Sequence, residues 1–140
     1  MALGEGLGRL FDVVPVAASA ALNLENAAGV TFVCTGNDTF IVKQSGTHGG
    51  TPTAFSPITR YYTKTATTGA TVWVDSGDLG TDLGTVTIGS GTIAFYVSAD
   101  DLPAGSSYVQ VVPGTSGLVI AVLHDLEVQR NPKYLIAPNV

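Results

Sequence analysis

Short runs in which apolar and polar residues alternate constrain the fold of this chain more than any other feature. Such alternation is the period of a strand with one buried face, and the runs are separated by Gly, Asn, Asp and Pro, which are typical of turns. The period of an amphipathic helix is nearly absent. The pattern predicts about ten short strands, at residues 12–17, 21–24, 30–35, 39–44, 58–65, 71–75, 85–88, 92–98, 108–113 and 118–129.

Glycine-containing turns join several of these strands. TGND predicts a tight turn in which Gly36 and Asn37 accept a positive φ, and GSG at residues 89–91 and GTSG at residues 114–117 predict two hairpin turns. SADDLPAG predicts a single helical turn with Ser98 as its cap. Many short strands at this spacing predict an all-β fold, a single-domain sandwich or barrel of antiparallel strands with extended terminal arms and under about 10% helix.

The composition indicates a protein that is covered by neighbours. Of the 140 residues, 45% are hydrophobic and only 12% are charged, against about 25% charged in an average soluble domain. A surface with so few charges is poorly solvated, which is tolerable where other proteins cover it. We divide the chain into an N-terminal arm of residues 1–10, a β-domain of residues 11–130 and a C-terminal tail of residues 131–140.

Both ends of the chain carry apolar residues that lie outside every predicted strand. Glycines interrupt the helical spacing of the first set, and prolines hold the second set extended. We predict that one or both arms contact a neighbouring copy or another protein; the alternative is that each arm folds back as an edge strand of its own domain. The candidate contact residues are Leu3, Leu7, Leu10, Phe11, Tyr134, Leu135 and Ile136.

Charge and hydropathy exclude several classes of partner. The net charge is −5 and the six basic residues are scattered, so we expect no direct nucleic-acid binding. VVPVAASAAL is too short to span a bilayer and contains Pro15, and no signal peptide is recognisable, so we expect no membrane partner. The single cysteine, Cys34, is expected to be a small buried hydrophobe.

The stretch LHDLEVQRNP is the strongest candidate for an active site, because it gathers a histidine, two carboxylates and an arginine. In a strand over residues 118–129, His124 and Asp125 would point to opposite faces, whereas Asp125 and Glu127 would share one. Two neighbouring carboxylates are the minimum for a glycosidase, but a strand end that emerges into water gives the same pattern. We predict no catalytic role, with His124 partly buried and bonded to a backbone group.

Other groups give weaker signals. Asp75, Asp78 and Asp82 lie in a Gly-rich loop, but the EF-hand spacing and a closing glutamate are missing, so we predict a solvated turn and no metal site, with calcium binding as the alternative. No nucleophile motif or nucleotide fingerprint is complete, so we predict neither an enzyme nor a cofactor. Exposed aromatic residues could stack on sugars. In a strand, however, at most one of Tyr61 and Tyr62 faces outward, and Trp73 is expected to pack in the core.

Four stretches carry a resemblance to a known family. GVTFVCTGNDTF, TATTGATVWV, TVTIGSGTIAFYVSADDLPAGSSYVQV and SGLVIAVLHDLEVQRNPKYL resemble head decoration proteins, also called capsid cement proteins, of tailed bacteriophages. The closing HDLEVQR-P--L element is the most specific part. The resemblance extends from about Phe11 to Leu135, so residues 1–10 and the ending IAPNV lie outside it.

The resemblance implies a non-enzymatic virion protein on the capsid surface, made in the cytoplasm of the bacterial host. The implied partner is the major capsid protein, and the chain would form a homo-oligomer, for which we expect a trimer first and a dimer next. Three other functions remain open: a tail or head-completion structural protein, a carbohydrate-binding module on the virion, and a small glycosidase that uses Asp125 and Glu127.

Overall fold

The computed structural model describes residues 11–127 and 135–140. This part of the chain is all-β, as predicted, and its one helical element is the three-residue 3-10 turn Ala99–Asp101. The strands, in chain order, are β1 (Phe11–Val14), β2 (Leu22–Asn23), β3 (Gly29–Thr35), β4 (Asp38–Ser45), β5 (Thr53–Ala54), β6 (Tyr61–Lys64), β7 (Val74–Asp75), β8 (Thr85–Ile88), β9 (Thr92–Ser98), β10 (Tyr108–Pro113) and β11 (Leu118–His124).

The strands form two antiparallel sheets, so the fold is a single-domain β-sandwich and not a closed barrel. One sheet has six strands in the order β1-β11-β3-β9-β6-β7. The other has the order β2-β10-β4-β5, with β8 also paired to β4. The chain changes sheet at the turns β3–β4, β8–β9 and β10–β11, so the prediction of hairpins at GSG and GTSG is wrong: each of these turns connects the two layers.

The core lies between the sheets and is built from alternate residues of the strands. In β3, Val30, Phe32 and Cys34 are fully buried. They stand in register with Val97, Phe95 and Ile93 of β9, and the rings of Phe32 and Phe95 are 5.6 Å apart. Phe40 and Val42 of β4 cover them from the other sheet, together with Val109 and Val111 of β10. Alternation of inward apolar residues thus produces one continuous core.

Two predicted turns have the local structure that their residues favour. Gly36 adopts a φ of 103° in the tight turn that leads from β3 in one sheet to β4 in the other. Ser98 caps the 3-10 turn, since its hydroxyl accepts the amide of Asp100 while the carboxylate of Asp101 accepts the amide of Ser98.

Several predicted strand boundaries are wrong. The first strand ends at Val14, because the following segment crosses to the other sheet, where Ala18 bridges Val111. The strand predicted over residues 58–65 begins only at Tyr61, and that over residues 71–75 only at Val74. The long loop of residues 44–57 contains the short strand β5, which pairs with β4.

Among the residues that the structure describes, no helix has the length and apolar character needed to cross a membrane.

Candidate functional site

The solvent side of the six-stranded sheet carries a continuous set of apolar side chains. Directly paired residues of neighbouring strands project to the same side. The pairs Val13–Val122, Ile120–Val33 and Val33–Ala94 therefore run across four strands on the side away from the core. We define the apolar face as the outward side chains of Val13, Val33, Tyr62, Ala94, Tyr96, Leu118, Ile120 and Val122.

The apolar face is exposed in the single chain. Leu118 is 67% exposed, Ile120 40% and Tyr96 45%. The three central strands, β3, β9 and β11, contain no Asp, Glu, Lys or Arg on either side. An uncharged row this wide is typical of a surface that another protein covers, because monomers rarely expose contiguous apolar patches of more than a few hundred Å².

Charged side chains lie at the edge of this face. Arg60, directly before β6, forms an ion pair with Asp75 of β7. The ammonium of Lys64 lies 5.1 Å from the ring centre of Trp73, a cation–π arrangement. Trp73 is 43% exposed, so the prediction that it packs in the core is wrong, whereas only Tyr62 of the Tyr61–Tyr62 pair is exposed, as predicted.

A polar corner stands at the end of the face where β11 ends. The Nε2 atom of His124 is 2.7 Å from the hydroxyl oxygen of Thr31, and the imidazole packs against the ring of Tyr96 at 5.8 Å. His124 is partly buried as predicted, but its partner is a side chain and not a backbone group. Gly29 is required here, because a Cβ at this position would overlap the Tyr96 phenol. Burial, aided by Asp125, raises the pKa of Tyr96.

The stretch that first suggested an active site does not form a paired-carboxylate site on a strand. β11 ends at His124, and Asp125 takes a left-handed φ of 52°. The amide of Glu127 then donates to the carbonyl of Asn26. The prediction that Asp125 and Glu127 share one strand face is therefore wrong, because the strand period does not continue past His124. Residues 128 and 129 of the predicted strand lie outside the described residues.

Asp38 organises the opposite end of the sandwich. Its carboxylate accepts the amides of Thr115 and Gly117 in the turn between β10 and β11, at 3.0 and 2.7 Å for Oδ2, as well as the amide of Thr39. Donation by Thr115, followed by Gly117 and Thr39, lowers the pKa of Asp38 to about 2, although its burial acts in the opposite direction. Asp38 thus holds together the two sheets and is structural.

The end of the C-terminal tail lies on its own domain. The amide of Asn23 donates to the carbonyl of Pro138 at 2.8 Å, and the Tyr108 hydroxyl donates to the carbonyl of Val140 at 2.9 Å. His48, which has no partner recognisable from sequence, lies 3.0 Å from the side-chain oxygen of Asn139. These contacts attach residues 138–140 to β2, to β10 and to His48 of the long loop.

The tail also closes a pocket of about 160 Å³ beside β1 and β11. Leu135 and Ile136 line it together with Leu123 and Leu126. This volume is smaller than the roughly 300–1,000 Å³ typical of small-molecule sites. We therefore interpret the pocket as a packing gap between the tail and the edge of the sheet, and not as a ligand site.

The structure describes three of the seven predicted contact residues. Phe11 pairs with His124 and lies at one end of the outer side of the six-stranded sheet, while Leu135 and Ile136 line the pocket. Leu3, Leu7, Leu10 and Tyr134 lie outside the described residues. Contact of these residues with a partner stays a prediction.

Nothing in the described part of the chain assembles a metal site. No group of three or more His, Cys, Asp and Glu side chains comes together in residues 11–127 and 135–140. Cys34 is buried in β3 as predicted, and burial raises the pKa of its thiol to about 12, which keeps it protonated and unreactive.

Sequence reasoning missed the apolar face itself. The signal is the composition of β11, LVIAVLH, in which both alternating sets are apolar. Val119, Ala121 and Leu123 face the core, which leaves Leu118, Ile120 and Val122 for the outside. A strand that is apolar on both sides indicates a second covering layer, and the sandwich provides only one.

Comparisons with protein-family models, with curated proteins and with solved structures give no significant match to this chain.

Proposed function

We propose that this chain is a non-enzymatic structural protein of a bacteriophage head, which binds the outside of the capsid shell and stabilises it. The observation that carries the proposal is the exposed apolar face on a stable sandwich core. A protein that works covered by other subunits needs such a face, whereas a protein that works alone is penalised by it. The resemblance to decoration proteins supports the head as the assembly.

The mechanism follows from repetition. A rigid β-sandwich transmits force between the subunits it contacts, because close-packed interiors deform little. Each contact with the shell can be weak, since multivalent attachment raises the overall affinity by about 10²–10⁴ over a single site. Low charge at the contact surface reduces the desolvation cost of each contact.

Imaging of reconstituted particles tests the proposal. The purified chain is mixed with empty shells assembled from the major capsid protein of the same genome and imaged by electron cryo-microscopy. Extra density over the whole shell supports decoration. Density at one vertex supports a head-completion protein instead, and shells without extra density contradict both.

One observation favours a second candidate, a carbohydrate-binding module on the virion. Tyr62 and Trp73 are both exposed, and Lys64 lies beside the Trp73 ring. Aromatic faces next to polar groups can stack on sugar rings. Glycan-array binding that is lost in Trp73→Ala and kept in Tyr96→Ala would favour this candidate; an array without binding would remove it.

A further inference from the structure

We propose that the apolar face is the interface between two copies of this chain, packed sheet against sheet about a twofold axis. The inference rests on the proposed function for the expectation that the chain works assembled, and it names one partner in that assembly. It follows from the shape, the side-chain sizes, the charges and the area of the face.

The shape of the face suits another β-sheet. Its rows come from β11, β3 and β9, three seven-residue strands that lie side by side. Two such sheets pack face to face at about 10 Å with their strands inclined by about 30°. The six-stranded sheet of a second copy would then cover the outer side of β11.

Side-chain sizes on the face are complementary under twofold symmetry. An axis along β3 places β11 of one copy over β9 of the other, since these strands flank β3 on opposite sides. Ile120 then lies over the small Ala94, because both stand in register with Val33. Val122 lies over the larger Tyr96, because both stand in register with Thr31. An isologous interface requires this self-complementarity between two different parts of one surface.

Charges on the face also permit self-association. The chain has a net charge of −5, so two copies repel one another unless the contact region is uncharged. The three central strands meet that requirement. The same axis places the β6 edge, with Lys64, over the β1 edge of the other copy, so that Lys64 does not face Lys64.

The area is close to that of a specific dimer. The strands β11, β3 and β9 extend about 23 Å, and the flanking four-residue strands β1 and β6 extend about 13 Å, at roughly 3.3 Å per residue and 4.8 Å between strands. Two facing footprints amount to about 900 Å² before the relief of the side chains adds to them, close to the roughly 1,000 Å² that a specific interface needs.

Sedimentation velocity on the isolated full chain, without capsid shells, tests the inference. We expect the natural protein to be a dimer that dissociates on dilution. Ile120→Lys places two cations in the centre of the interface and is expected to raise the dissociation constant by at least about 30-fold, as loss of a hot spot does. Leu118→Lys, at a more exposed position, provides a second variant that should act in the same direction.

Val16→Lys is the matched control, because Val16 is 80% exposed and lies beyond the end of β1. It should leave the dissociation constant unchanged. Circular dichroism confirms that each variant is folded. A monomer at every concentration, a trimer, or a dimer that both folded lysine variants leave intact would each overturn the inference. Because no shell is present, these outcomes are independent of the imaging result that tests decoration.

Discussion

The outer sides of the two sheets differ, although both sheets cover the same core. In β4, Phe40 and Val42 face the core, while Thr39, Ile41 and Lys43 alternate with them on the outside. The outer side of β11 instead carries Leu118, Ile120 and Val122. The outward positions of β4 include polar and charged residues beside Ile41, as expected of a sheet face that meets water, whereas those of β11 are apolar up to His124, which is the pattern expected of a covered face.

Truncation of the core should give the largest effect and should separate the core from the face. Phe32→Ala removes a fully buried ring, so we expect the free energy of unfolding to fall by about 3–5 kcal/mol. Val33→Thr, next to it on the outer side of β3, should cost less than about 1 kcal/mol. Denaturant unfolding measures both, and equal losses would show that Val33 belongs to a second core.

Asp38→Asn tests the link that holds the two sheets in place. The folded-state pKa of Asp38 is about 2, below its ordinary value of 3.8, so its ionised form stabilises the fold. That stabilisation is full above the unfolded pKa and is lost as the pH falls through the folded pKa. We therefore expect the variant to have a lower Tm at neutral pH, with a difference from the natural protein that shrinks as the pH falls from 3.8 to 2.

A difference in Tm that stays constant over that pH range would contradict the assignment of an ionised Asp38. Asp82→Asn is the matched control, because Asp82 is exposed in a loop. It should leave the Tm at neutral pH unchanged.

Gly29→Ala tests the close packing at the polar corner of the face. A Cβ at Gly29 would overlap the Tyr96 ring and approach the carbonyl of Val97 to 2.7 Å. We expect a loss of about 1–3 kcal/mol in the free energy of unfolding, typical of overpacking. Gly49→Ala meets no atom within 4 Å and should be neutral within about 0.5 kcal/mol. Equal stability of the two variants would mean that Tyr96 does not lie over Gly29.

A pair of isoleucine substitutions compares the two outer sides directly. Ile41→Lys and Ile120→Lys each place a lysine on an outer sheet surface, so we expect both monomers to lose no more than about 1 kcal/mol of stability. Only Ile120→Lys should weaken self-association, which light scattering at several concentrations measures. Weakening by Ile41→Lys alone would assign the contact to the five-stranded sheet.

The smallest effect is expected beyond the end of β11. The double substitution Asp125→Asn and Glu127→Gln should leave shell binding within a few-fold of the natural protein. These carboxylates follow the strand and do not share one of its faces. Glycoside hydrolysis that the natural protein performs and the double variant does not would reinstate the glycosidase hypothesis.

Local sequence signals predicted most of the fold. Gly36 and the Ser98 cap determine their turns through backbone conformation and hydrogen bonds to nearby residues. A few neighbouring residues of sequence are therefore enough to predict these turns. Strands such as β9, with Ile93, Phe95 and Val97 directed inward, are determined by alternation in the same way. Both kinds of signal act within a few residues of the chain.

Long-range contacts could not be predicted in this way. The end of β11 depends on the bond from Glu127 to Asn26, about a hundred positions away in sequence. The partners of Asp38 and His124 are distant in sequence: Thr115 lies in the turn between β10 and β11, and Thr31 lies in β3. The apolar face itself results from strand order, which alternation within a single strand does not specify.

Side-chain footprinting tests most directly whether the apolar face is covered. Hydroxyl-radical oxidation is followed by mass spectrometry in dilute and in concentrated protein. Oxidation of Tyr96 and Tyr62 on the face should slow several-fold on concentration, whereas Tyr108, on the outer side of the five-stranded sheet, should react equally in both. Equal reactivity of Tyr96 at both concentrations, or protection of Tyr108 instead, would contradict the assignment of the apolar face as the contact surface.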